Sequence, residues 1–226
     1  MLVGSAIQGV AGFGSNLFAA PLLVIADADL VPGPLIVAAV ALNVLILGAN
    51  RGTHPWRTMA WSNVGQVFGG TAGALVLGAI TASQLSVFFA IMIIVAVVLG
   101  ASGFAPRRTR PTMAVAGMLS GFMGTSVGIG GPAIAIVQAG SEGNELRAAL
   151  SRFFLLGTAV SLVALTAVGR FGPGDLVTGL LLIPGTVAGY LLSRPLAPRV
   201  NRRALRVMVL VLSGVAAAIA LVRALA

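Results

Sequence analysis

The spacing of its charges constrains this chain more than any other feature. Uncharged, largely apolar runs cover residues 1–26, 30–50, 58–106, 111–141, 153–169, 176–193 and 207–222. A helix crosses the hydrocarbon of a bilayer in about 20 residues. Four of the runs fit one crossing, and 58–106 fits two, with a polar break at Thr81-Ala82-Ser83-Gln84. The runs 1–26 and 111–141 are long for one crossing and short for two, and glycine interrupts the middle of each. The pattern predicts an all-α polytopic protein of the cell (inner or plasma) membrane, with the lipid bilayer as its main partner.

Composition agrees. Only 8% of residues are charged and 58% are hydrophobic, whereas a soluble domain carries roughly 25% charged residues. All fourteen cations are Arg, giving a net charge of +9. They lie in the gaps between apolar runs, as basic loops that fix membrane orientation do, so nucleic acid is not an expected partner. The absence of Cys rules out disulfides, thiolate metal sites and a Cys nucleophile. Residues 1–26 lack a basic stretch ahead of the apolar one and do not read as a cleaved signal.

The two odd runs hold the informative residues. One reads Gln8-Gly9-Val10-Ala11-Gly12-Phe13-Gly14-Ser15-Asn16, the other Ser120-Gly121-Phe122-Met123-Gly124-Thr125-Ser126-Val127-Gly128-Ile129-Gly130-Gly131-Pro132. Gly12-Phe13-Gly14 falls on Gly128-Ile129-Gly130 at an offset of 116, and Gly70-Thr71 falls on Gly185-Thr186 at 115. Two matches at nearly one spacing indicate an internal duplication, with residues 1–106 as the first repeat and 107–226 as the second.

Arg placement gives the relative orientation of the halves. The loop 81–86 has no charge, while its counterpart 194–206 holds Arg194, Arg199, Arg202, Arg203 and Arg206. Equivalent loops of opposite bias are expected of inverted repeats. If 1–26 and 111–141 each enter the membrane and return, each half has three full crossings. The loops 51–57, 107–110, 142–152 and 194–206 then become cytoplasmic.

Backbone unwound at membrane depth is tolerated only inside protein or beside a water-filled cavity. Glycine lets a ligand approach that backbone, and helix ends beside the break offer N–H donors to an anion. Pro132 suits the first turn of a restarting helix. Gln8, Asn16, Ser120, Thr125 and Ser126 add neutral polar groups. Against this stands plain helix packing, the expected role of the four-residue glycine spacings Gly117/Gly121 and Gly65/Gly69/Gly73. A nucleotide-binding loop is excluded, because no Lys occurs in the chain.

These segments resemble the paired signatures of the TauE/SafE sulfite-exporter family. The second carries the more specific likeness, through Ser120-Gly121-Phe122-Met123-Gly124-Thr125 and Gly128-Ile129-Gly130-Gly131-Pro132. The first runs through Gln8-Gly9, Gly12-Phe13-Gly14 and Pro21-Leu22. The likeness covers essentially the whole chain, including His54-Pro55-Trp56-Arg57. It implies a transporter that exports sulfite, sulfoacetate or a related organosulfonate, with a small anion as partner and no cofactor. Ala133 after Gly131-Pro132 and polar Asn16 depart from the pattern.

The substrate-binding candidates are Gln8, Gly12, Phe13, Gly14, Asn16, Ser120, Gly124, Thr125, Ser126, Gly128, Gly130, Gly131, Pro132 and Arg152. For Arg152, snorkelling to headgroups is the plainer role. Asn43 reads as an interhelical hydrogen-bonder. Trp56, Trp61 and Tyr190 read as interfacial anchors, and His54, the sole His, as a loop residue. No acidic residue lies within a run, so a proton relay of the usual kind is missing and voltage-assisted anion exit is the simplest mechanism. Nor are the residue sets of an enzyme or a metal site present. The rival reading is a structural or assembly membrane protein whose glycines only pack helices.

Overall fold

A computed structural model describes residues 1–50, 59–104, 106–138, 143–196 and 200–225. His54 and Trp56 lie outside the described residues. Within them there is no strand, and ten α-helices carry the fold: α1 Leu2–Ala11, α2 Ser15–Ala26, α3 Gly33–Ala49, α4 Ala60–Ala79, α5 Ala82–Ala101, α6 Arg110–Val127, α7 Gly131–Val137, α8 Gly143–Ala167, α9 Pro173–Leu196 and α10 Arg202–Leu225. Both odd runs are broken helices, one parting at Gly12–Gly14 and the other at Gly128–Gly130. The polar break inside 58–106 is also real. Thr81 caps α5, and Gln84 returns its side-chain oxygen to the Thr81 N–H at 3.0 Å.

Three helices are long and apolar enough to cross a membrane: Gln84–Ala101, Glu145–Ala167 and Pro173–Leu196. Their flanks keep large apolar side chains outside the protein, with Val163 72% and Leu181 75% exposed. A water-soluble surface hides such residues when they are this numerous; a lipid-facing one does not need to.

Lipid tails are as apolar as leucine, so association within the bilayer relies on close approach of backbones. The α4·α6 pair does this without an intervening layer of side chains. A Cβ at Gly65, Gly69, Gly117 or Gly121 would collide with the backbone carbonyl of Ala114, Met118, Ser62 or Gln66 respectively. The packing role expected of these glycines is therefore borne out. Ser62 faces Gly117 and Phe122 faces Gly73, so α4 and α6 run in the same direction.

The same reasoning orients the other neighbours. Leu2 meets Gly189 and Gly9 meets Ser193, so α1 and α9 are parallel. Gly33 meets Phe171 and Asp175, while Gly179 meets Val37, which makes α3 and α9 parallel. Gly70 neighbours Val160 and Gly78 neighbours Val168, so α4 and α8 are parallel as well. Gly100 meets Leu210 and Gly214 meets Val97, so α5 and α10 are antiparallel. The pairings exchange as sets. α4 packs on α6 as α9 packs on α1, α3 on α9 as α8 on α4, and α10 on α2 as α5 on α7.

These directions sort the helix ends onto two faces. The N-termini of α3 and α9 share one face with the C-termini of α4 and α8, where Arg170 Nη2 donates to Ile80 O at 2.6 Å. Asp27, Asp29 and Asp175 lie there, so we call it the acidic face. On the opposite, basic face the Arg110 guanidinium stacks 5.7 Å from the Trp61 ring, as suits an interfacial aromatic. Arg147, Arg152 and Arg194 belong to the same face.

Two expectations need correction. Tyr190 is no interfacial anchor. It is 6% exposed and packs with Leu42 and Ile46, because it lies on the side of α9 that meets α3 and not on the side that meets lipid. The loops 142–152 and 194–206 are also shorter than their charges suggest. α8 already begins at Gly143 and α9 continues to Leu196, since long Arg side chains allow a helix to pass through the headgroup layer.

Candidate functional site

Both helix breaks turn on left-handed glycines at matching positions, Gly12 at φ +88° and Gly128 at φ +74°, and Gly14 adds a third at φ +108°. Side chains with a Cβ rarely adopt such values, so glycine is needed there. The breaks meet each other. Asn16, in the first turn of α2, donates from Nδ2 to Gly128 O at 2.8 Å. Phe13 lies against Gly131, where a Cβ would stand 3.2 Å from the ring.

Between the breaks is a cavity of about 60 Å³, space for about four ordered waters on a scale of ~15 Å³ each. Of the expected residues, Gln8, Gly14, Asn16, Ser120, Gly124, Gly128, Gly130, Gly131 and Pro132 line it. α2 begins at this cavity with the positive end of its dipole; Gly14 brings no capping side chain, and the Ser15 N–H donates to Gln8 Oε1 at 3.3 Å. α7 restarts at Gly131 with Pro132 in its first turn, one residue later than the tightest proline placement.

The remaining candidates lie elsewhere. Gly12 faces Arg147, with a hypothetical Cβ 3.1 Å from Arg147 Cγ. Phe13 leans into an apolar cluster with Phe153, Ile134 and Leu150. The Thr125 hydroxyl pairs with Ser161 Oγ at 2.7 Å, and Ser126 donates to Phe122 O in its own helix at 2.7 Å. Arg152 does not reach the cavity, although Ser161 and Thr158 of the same helix do.

The sequence reading assigned no ligand role to Gln66, Asn43 or Ser161. Asn43 does make the expected interhelical bond, accepting from Gln8 Nε2 at 3.3 Å, but it lines the cavity too. Gln66 directly follows Gly65, the first of the packing glycines on α4, and is 4% exposed. A buried glutamine within an apolar helix was a readable signal, hidden by its glycine-rich surroundings.

Electrically the cavity is unusual for an anion site, since no charged side chain among the described residues lines it. Its polar lining consists of four carboxamides (Gln8, Asn16, Asn43 and Gln66), the hydroxyls of Ser120, Thr158 and Ser161, and glycine backbone. Such a lining can hydrogen-bond a small polar solute and offers no general base or nucleophile–base pair.

Apolar, outward-facing helices around a neutral polar cavity define the class as an all-α membrane protein with a polar interior. Within that class, the chain belongs to the sulfite exporter TauE/SafE family, whose model matches residues 1–220. It is thereby a member of a family of membrane transporters for sulfite and related anions, not of enzymes. No curated protein and no solved structure matches it.

Proposed function

We propose that this chain exports a small sulfur-containing anion, such as sulfite, sulfoacetate or another organosulfonate, by alternating access across the cell membrane. In this reading residues 1–106 and 107–226 are inverted repeats, each a re-entrant broken helix followed by three crossings. The helix directions support it. α4 runs with α8 and α9 with α3, so members that occupy equivalent positions in the two halves point opposite ways. The basic face is then cytoplasmic.

The observation that carries the proposal is the bond from Asn16 to Gly128 O, which joins the two breaks at the wall of one cavity. Rocking one half against the other opens that cavity to each face in turn. The inside-negative potential favours exit by about 2.3 kcal/mol per charge per 100 mV.

Gly124→Leu tests the site. A Cβ there makes only ordinary contact with the Gly130 backbone, at 3.7 Å, and Gly124 lines the cavity, so a larger side chain takes up space beside the second break. Gly130→Leu is a poorer choice, because its Cβ would stand 2.8 Å from Ser120 O. We expect proteoliposomes with folded Gly124→Leu protein to lose sulfite efflux. Wild-type efflux from that variant would leave the glycines with a packing role only.

A further inference from the structure

We propose that the cavity accepts its substrate as a partly protonated monoanion, one that still carries an acidic hydrogen, and rejects fully deprotonated dianions. This rests on the transport reading above and sharpens its substrate class.

Two observations carry it. The first is the absence, among the described residues, of any charged side chain in the lining. An anion buried there gains no ion pair, so its desolvation is offset only by dipoles. That desolvation grows with the square of the charge, about fourfold from one charge to two. Neutral amides can hold one negative charge through hydrogen bonds but have nothing with which to neutralise a second.

The second is a pair of acceptors left without donors. The Asn16 amide is fixed in orientation by Nδ2 donating to Gly128 O, because turning it over would set oxygen against oxygen. Its Oδ1 is buried and receives no hydrogen bond. Oε1 of Gln66, a residue 4% exposed, is likewise buried and unpaired. An orphaned acceptor of this kind costs stability until a donor arrives. A dianion brings only lone pairs, whereas a monoanion with one remaining hydrogen brings the missing donor.

The rest of the lining supplies the opposite function. Gln8 Oε1 accepts from the Ser15 N–H at 3.3 Å while Nε2 donates to Asn43, and Asn43 Nδ2 donates to Ala39 O at 2.8 Å. This chain fixes both amides and leaves each nitrogen one further hydrogen. Side chains of one lining thus carry both donor hydrogens for charged oxygens and orphaned acceptors for an acidic hydrogen. Hydrogensulfite carries both complements; sulfite dianion and sulfate lack the second.

The test is calorimetric binding to purified wild-type protein across a pH series that brackets the second ionisation of sulfite. Three sodium salts serve: sulfite, sulfate as a dianion throughout, and methanesulfonate as a monoanion with no acidic hydrogen. Above that ionisation the dissociation constant for total sulfite should rise tenfold per pH unit, and below it should be flat. Sulfate should not bind, and methanesulfonate should bind more weakly than hydrogensulfite with no pH dependence. Gln66→Met should reduce the preference for hydrogensulfite over methanesulfonate by about tenfold. A flat sulfite profile, comparable binding of sulfate, or methanesulfonate binding as tightly as hydrogensulfite overturns the inference and leaves the transport reading intact. Failure of all three salts at every pH overturns the transport reading itself.

Discussion

The two breaks share a glycine signature, yet they are held very differently. At the second, Ser120 Oγ donates to Gly130 O at 2.7 Å, Asn16 donates to Gly128 O at 2.8 Å, and Ile129 is 1% exposed. Its α6 leg is locked against α4 by backbone contact. At the first, the Ser15 N–H reaches Gln8 Oε1 at 3.3 Å, and Arg147 reaches across from α8 to Gly9 O at 3.1 Å. Phe13, the counterpart of Ile129, stays partly exposed. The two breaks thus share glycines but not their whole geometry, for Gly14 is left-handed and Gly130 is not, and they do not share the same anchoring. The second break is held by the shorter hydrogen bonds and the closer backbone packing.

The largest effect that could break this contrast is expected in the locked pair. Gly121→Ala sets a methyl group against Gln66 O and 2.9 Å from Gly70 N. Neither atom can yield, and we expect a loss of about 3 kcal/mol, the upper end of ordinary overpacking. At Gly185, on α9, a Cβ meets nothing closer than 3.8 Å, so Gly185→Ala should keep its melting temperature. Equal melting of the two variants in a detergent thermal-shift assay would remove the distinction.

The opposed orientation of the halves can be tested by labelling, and the chain's lack of cysteine leaves no background. Ser193 is unsuitable despite lying at a matching point, because it is 1% exposed and bonded to Tyr190 O. Exposed Ala79 and Ala204 replace it. In intact cells an impermeant maleimide should label Ala79→Cys and spare Ala204→Cys until permeabilisation. Labelling of both in intact cells would return the halves to a parallel arrangement.

Smaller effects separate the two walls. Ser120→Ala should cost about 1 kcal/mol and slow efflux, since Gly130 O loses its donor. Arg147→Gln should cost a similar ~1 kcal/mol, because the bond is charge-assisted but only partly buried. It should also raise basal leak in a liposome flux assay, which Ser120→Ala should not do. Ser126→Ala is expected to be nearly silent in efflux, for its hydroxyl is spent on Phe122 O.

Much of this was legible in the sequence because membranes restrict what a chain can do. Charge-free runs located the helices, and glycine clusters located both breaks to the residue. What stayed hidden depended on facing. Thr125 and Ser126 sit in the motif beside Ser120, but the turn of α6 directs one to Ser161 and the other to its own helix. Gln66 belongs to no motif and enters the cavity because α4 lies against α6. Tyr190 looked interfacial since sequence gives depth only through distance from charges and does not show which side of α9 meets α3.

The backbone contact between α4 and α6 also has a consequence for biosynthesis. α4 comes from the first half and α6 from the second, so the glycine face of α4 has no mate when it leaves the ribosome. About 50 residues separate the end of one from the end of the other, roughly 2–10 s of translation. During that interval the first half holds its backbone open to lipid or to a membrane chaperone. Neither half can complete its fold alone, and a stalled or truncated chain exposes the glycine face that quality-control machinery would recognise.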